Sequence, residues 1–231
     1  MNRARRWICI QLLCIVSMPL QVSAEPSVYL VDRAVVRFAA PEIGGLKSPR
    51  FIFKRELAFE ARLEALSDSE YPADAERPYA ERHLHAATER HIAETLLAAL
   101  RVEPPATERA IAEQSEVARR ILLDRIGGQE VLAQAARSEG MSDGEVSAVF
   151  RRRARAGLYL DRMIAPMLAP TSSELRQVHV AENHPYRGLP YEKALPLLRR
   201  WLIGQRLREA FDVYYQNARQ RLTVVSLAPF E

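Results

Sequence analysis

"RLREAFDVYYQNARQRLTVVSL", Arg206 to Leu227, decides the fold. Leu207, Phe211, Tyr214, Ala218 and Leu222 recur every three or four residues, the spacing of one helix face. The helix then passes, with no turn residue, into Thr223-Val224-Val225, a β-branched run suited to a strand. A lone strand ending a helical chain would leave a row of backbone donors and acceptors unpaired. The other end of the chain offers a partner. "SVYLVDRAVVRFAA", Ser27 to Ala40, is rich in β-branched and aromatic residues and ends at Pro41 and Gly44-Gly45. A second short apolar piece, Phe51-Ile52-Phe53, follows Pro49. The first and last strands are therefore expected to pair.

Between them helical patterns dominate. One covers 54–66. Another, 80–102, carries Leu84, Ala87, Ile92, Leu96 and Leu100 and stops at Pro104-Pro105. Thr107 is an N-cap candidate for a helix running to Ile126 and closed by Gly127-Gly128. A short helix spans 129–138. Ser142 with Glu145, and Thr171 with Glu174, have the spacing of capping boxes, in which each side chain takes the other residue's backbone N–H. The first box is expected to start a long arm helix reaching Leu168, the second a helix ending near Asn183. A closing helix over 190–222 and a strand over 223–227 complete a mainly α chain, with a small antiparallel sheet made by its N- and C-terminal strands.

The N-terminus reads as a leader. Arg3, Arg5 and Arg6 precede an apolar stretch from Trp7 to Leu20, and Val22-Ser23-Ala24 has the small-residue form of a cleavage site. The expectation is a signal peptide over 1–24, cleaved after Ala24, and a periplasmic or secreted domain over 25–231; a retained anchor is the alternative. Removal leaves 231 − 24 = 207 residues and a formal charge of 30 − 29 = +1, so the basic precursor carries no argument for nucleic acid. Both cysteines, Cys9 and Cys14, fall in the leader, so packing rather than disulfides must hold the domain.

Catalytic patterns are missing from the sequence. No Gly-x-Ser-x-Gly elbow, mature cysteine nucleophile or glycine-rich phosphate loop occurs. His83, His85 and His91 crowd one helix, and His179 and His184 straddle a helix end, but none has the i, i+4 spacing of zinc ligands. Solvated helix faces are the expectation, with no metal or cofactor. Arg151-Arg152-Arg153-Ala154-Arg155 is the sharpest charge run. It is expected to be a solvated, partly ion-paired face, the alternative being a phosphate-bearing partner such as anionic lipid. Tyr159, Met163 and Met167 stand four apart on the expected arm. Methionine adapts its shape readily, which suits an apolar peptide surface; plain core is the other reading of this stripe.

Three stretches, "VDRAVVRF…FIFKREL", "SEGMSDGEVSAVFRRRARAGLYLDRMI" and "PTSSELRQVHVAENHPYRGLPYEKALPLLRRWLIGQRLREAFDVYYQNARQRLTVVSL", resemble the chaperone domain of the SurA family of periplasmic foldases. They match its opening hairpin and first helix, its capped arm and its closing unit. Two departures stand out. Arg55 replaces a usual capping serine, and only "ENHPYRGLPYEK" occupies the gap where the family carries a parvulin isomerase domain. The resemblance implies a non-enzymatic, ATP-independent chaperone that binds unfolded or nascent exported polypeptides, without prolyl isomerisation. Phe150, Tyr159, Met163 and Met167 are its candidate peptide contacts, and contact with a membrane surface stays open. An envelope assembly subunit bound to one dedicated partner is the alternative, and a hydrolase with an unrecognised site a third.

Overall fold

The computed structural model describes residues 32–43, 46–72 and 76–229. The expected leader and the strand residues before Asp32 lie outside these. The expected closure is present. β1 (Ala34–Ala40) pairs antiparallel with β2 (Leu46–Phe53) on one side and β3 (Thr223–Ser226) on the other, giving the order β2-β1-β3. Val36 faces Ser226 and Phe38 faces Val224. β2 begins earlier than the sequence suggests and includes Pro49. As an edge strand it tolerates one residue that cannot donate.

α1 (Lys54–Ser67) follows β2 without a break. No side chain at Phe53 caps it. Asp32 does that work from the start of β1: its Oδ1 accepts the Arg55 N–H at 3.2 Å, and its Oδ2 lies 3.2 Å from Arg55 Nε. The arginine in the place of a capping serine thus recruits a carboxylate from elsewhere in the chain.

α2 (Glu81–Ala98), α3 (Glu108–Ile126), α4 (Gln129–Ser138) and α5 (Asp143–Tyr159) follow. Their ends agree with the local signals. Thr107 Oγ1 accepts the Ala110 N–H at 3.2 Å, and Gly127 closes α3 at φ +93°, a conformation that favours glycine. Ser142 Oγ accepts the Glu145 N–H at 3.3 Å while Glu145 Oε2 accepts the Ser142 N–H at 2.8 Å. Thr171 and Glu174 repeat the box ahead of α6 (Ser172–Val180), and α7 (Tyr191–Arg219) leads into β3.

The arm is where the structure departs from the sequence reading. α5 stops at Tyr159, one π-helical turn spans Leu160–Ile164, and a 3₁₀ turn spans Ala165–Leu168. Pro166 has no N–H for the carbonyl one turn earlier, and its ring crowds that turn, which disfavours a regular α-helix here.

Two larger apolar cores flank α1. Val35, Phe38, Ile52, Leu57, Ile92 and Leu96 join the sheet to α2 and to Tyr215 and Ala218 of α7. Phe59, Leu63, Leu132, Val149 and Phe150 join α1 to α3, α4 and α5. Each fully buried large side chain contributes about 1.5–3 kcal/mol. A small satellite, Leu175, Ala194 and Leu198, holds α6 against the first half of α7.

Candidate functional site

α1 presents Glu56, Glu60 and Glu64 at i, i+4, i+8, a column distinct from the apolar residues it gives to the cores. α2 and α5 close over this column. Arg152 Nη1 donates to Glu56 Oε1 at 2.5 Å, and Arg152 Nη2 donates to Glu60. Arg152 Nε lies 3.4 Å from Glu94 Oε2, and Arg153 Nε 3.2 Å from Glu94 Oε1. His91 Nδ1 is 3.3 Å from Glu60 Oε2, and Arg90 pairs with Glu64. Glu60 is 1% exposed. The Arg151–Arg155 run is therefore not a uniformly solvated face. Arg152 and Arg153 turn into the protein, while Arg151 reaches the exposed Glu108 at 2.6 Å. His83, His91 and His184, expected on solvated faces, are buried as well; His85 is exposed.

The charges set one another's proton affinity. Burial pushes Glu60 upward, but Arg152, with His91 and Arg153, outweighs it and holds the carboxyl at about 2, below its ordinary 4.5. Glu94 goes the other way: burial raises it, and the Glu60 charge adds to that against the pull of Arg153 and Arg152. Burial works against the charge on Arg152, yet Glu60, Glu94 and Glu56 raise its proton affinity further. Glu56, Glu60 and His91 bring donor atoms within 4.8 Å of one another, the makings of a cation site. Arg152 spans both carboxylates and takes the role a cation would. The network ties three helices together and offers no open reaction space.

His83 belongs to a second polar cluster. Its Nδ1 accepts the Ala80 N–H at 3.0 Å, and its Nε2 lies 3.1 Å from Asp68 Oδ2. With both ring nitrogens engaged, it fastens the start of α2 to the end of α1. Its hydrogen bond, with Arg82's, holds Asp68 at about 2 against an ordinary 3.8. His179 and His184 stack at 5.6 Å between centroids beside Tyr191.

The four expected peptide contacts do not form one surface. Phe150 is core, 3% exposed, with the guanidiniums of Arg119 and Arg153 at 5.9 and 5.8 Å from its ring centre. Tyr159, at the end of α5, and Met163, inside the π-helical turn, are half-buried, and Met167 is 72% exposed beyond it. The change of helix type ends the four-residue stripe.

An open groove lies elsewhere, where sequence periodicity gave no signal. It measures 560 Å³, within the roughly 300–1,000 Å³ of ligand clefts, and runs between β3, α2 and the end of α7. Leu84, Ile92, Tyr215, Leu222 and Val224 supply apolar lining; Glu81, His85, Glu89 and Arg219 supply charge. β3 forms one wall. Leu227 donates its N–H to the Val35 carbonyl at 2.8 Å, which fixes the alternation of the antiparallel ladder. Val225 and Thr223 thus bond inward to β1, and Val224 and Ser226 turn their N–H and C=O outward along the sheet edge. Among the described residues no strand pairs with that edge. No helix among the described residues is long and apolar enough to cross a membrane. No protein-family model, curated protein or solved structure matches the chain.

Proposed function

We propose that the protein is an exported, ATP-independent polypeptide-binding protein of the cell envelope, a SurA-like chaperone domain without isomerase activity. The observation that carries this reading is the open edge of β3 beside an apolar groove. An extended client segment adds to the sheet by pairing its backbone with the outward groups of Val224 and Ser226. Alternate client side chains then enter the groove toward Leu84, Ile92 and Tyr215, while the charged rim keeps the complex hydrated. Backbone pairing is indifferent to client sequence, which suits a protein that serves many unfolded chains. A second reading, an assembly subunit dedicated to one envelope partner, draws on the groove's modest size.

The test uses the chain without residues 1–24 and an unfolded outer-membrane protein diluted from denaturant. Light scattering should fall at near-stoichiometric ratios. Val224→Pro removes one outward donor at a tolerant edge position and should weaken the effect. Met163→Ser with Met167→Ser asks whether the broken arm also contributes. No suppression by a well-folded protein sinks the general chaperone reading.

A further inference from the structure

The buried residues of α7 lie at its two ends, and between them Arg206 bonds Glu174 and the Leu168 carbonyl. Ala194 and Leu198 are buried against α6, Tyr215 and Ala218 against the sheet and α2, and no residue of α7 between Leu198 and Tyr215 is buried. On a helix, Phe211, Tyr214 and Ala218 continue backward through Leu207, Ile203 and Pro196 along one stripe. The stripe that docks α7 on the body therefore runs on toward the N-terminus, where it is only half-covered or exposed. There it lines an open concavity of 490 Å³ with Leu195, Pro196 and Ile203, and with Arg199 and Arg200.

Both arginines are exposed and have no carboxylate partner among the described residues. Their neighbour Arg206 is instead spent on Glu174 at 2.7 Å. The segment 172–210 holds seven Arg and Lys against four Glu, a net +3, while residues 25–231 as a whole carry only +1. The surplus positive charge thus sits on the α6–α7 lobe, and the rest of the domain is net negative. Other arginines of the domain are taken up in ion pairs, such as Arg55 with Glu145 and Arg62 with Glu139.

We propose that this face of α7 binds an acidic, apolar-containing polypeptide segment. The inference rests on the polypeptide-binding reading and deepens it by naming the class of client. Apolar side chains of the segment cover Leu195, Pro196 and Ile203, and its carboxylates pair with Arg199 and Arg200, whose planar guanidiniums suit bidentate pairing. A peptide supplies both from one short chain, and the apolar residues here continue a stripe that already mediates protein–protein packing within the fold.

The experiment measures fluorescence anisotropy of two labelled peptides with the chain lacking residues 1–24. The peptides share the same apolar residues; one carries three glutamates and the other three lysines. The acidic peptide should bind about four- to tenfold more tightly at low salt, as expected of two exposed ion pairs, and the gap should close as salt rises. Arg199→Ala with Arg200→Ala should close the gap, weakening the acidic peptide and relieving the repulsion on the lysine peptide; circular dichroism checks that the variant folds. Arg199→Lys with Arg200→Lys, which keeps the charge, should retain part of the gap. If both peptides bind equally, the general reading stands and this inference fails. If neither binds, both fail. Sedimentation with phosphatidylglycerol vesicles is the last arm: vesicle binding lost in the alanine variant, with no preference between peptides, would overturn the peptide assignment in favour of a membrane surface.

Discussion

Arg152→Met puts the buried charge network to a quantitative test. The substitution keeps the aliphatic stem and removes the guanidinium that bonds Glu56 and Glu60 and neighbours Glu94. Three carboxylates then share the site with Arg153 and His91. In the parent, Glu60 drops from 4.5 to about 2 on folding. At about 1.4 kcal/mol per unit of pH, its ionised form adds about 3 kcal/mol to stability. Loss of one partner from a buried pair costs a similar ~3–5 kcal/mol. Domains of this size hold only about 5–15 kcal/mol in all, so the effect is large. Its pH dependence is diagnostic. In the parent, the depressed Glu60 contributes stability that is present above pH 4.5 and is lost as pH falls toward 2. Without Arg152, burial becomes the dominant influence, and Glu60 rises above its unfolded value. Its contribution then reverses, being present at low pH and lost as pH rises. Urea unfolding of both proteins between pH 4 and 7 should show the deficit of the variant widest at pH 7 and narrowed near pH 4.5. Glu60→Gln added to Arg152→Met should recover part of the pH 7 loss. A deficit below about 1 kcal/mol, or one that does not change with pH, would refute the reasoning, because it would place Arg152 in the range of solvated surface pairs.

Ser142→Ala removes the acceptor for the Glu145 N–H and should cost about 1 kcal/mol, lowering Tm by about 2–4 °C in a calorimetric scan. An unchanged Tm would mean that Arg55, which bonds Glu145 at 2.8 Å, holds the start of α5 unaided. Asp68 should titrate at about 2 in a carboxyl-carbon NMR experiment and move up toward 3.8 in His83→Ala, since the His83 hydrogen bond is the largest cause of its depression. A midpoint unmoved by that substitution would assign the depression to Arg82 instead.

Features that depend on neighbours in sequence were legible. Thr107, Gly127, Ser142 with Glu145, and Thr171 with Glu174 act within one turn of the backbone, so their spacing is sufficient information. The pairing of β3 with β1 was legible for another reason: an apolar strand after a helix must satisfy its donors somewhere, and few strands were on offer. The charged core was not legible. Arg152 meets Glu56 and Glu60 across 96 and 92 positions, and no local pattern distinguishes a buried guanidinium from a solvated one. The i, i+4 column of glutamates on α1 was the available signal, because it occupies a helix face between two apolar ones. The broken arm had its warning in Pro166, which the four-residue recurrence of Tyr159, Met163 and Met167 masked. The groove beside β3 is assembled from α2, α7 and the sheet, and so exists only at the level of tertiary packing.

Pairing β1 with β3 also imposes an order in time. Val36 waits for Ser226, 190 positions later (226 − 36). Chains are made from the N-terminus onward. Until residue 226 is made, β1 has β2 on one side and no β3 on the other, and the closing helix has no sheet-bound end. Closing so long a loop adds entropy cost only logarithmically with its length, but it places the last contact at the end of the process and slows folding. The sheet is thus completed only once residue 226 is available, whereas the core that α1 shares with α3, α4 and α5 needs nothing from α7 or β3.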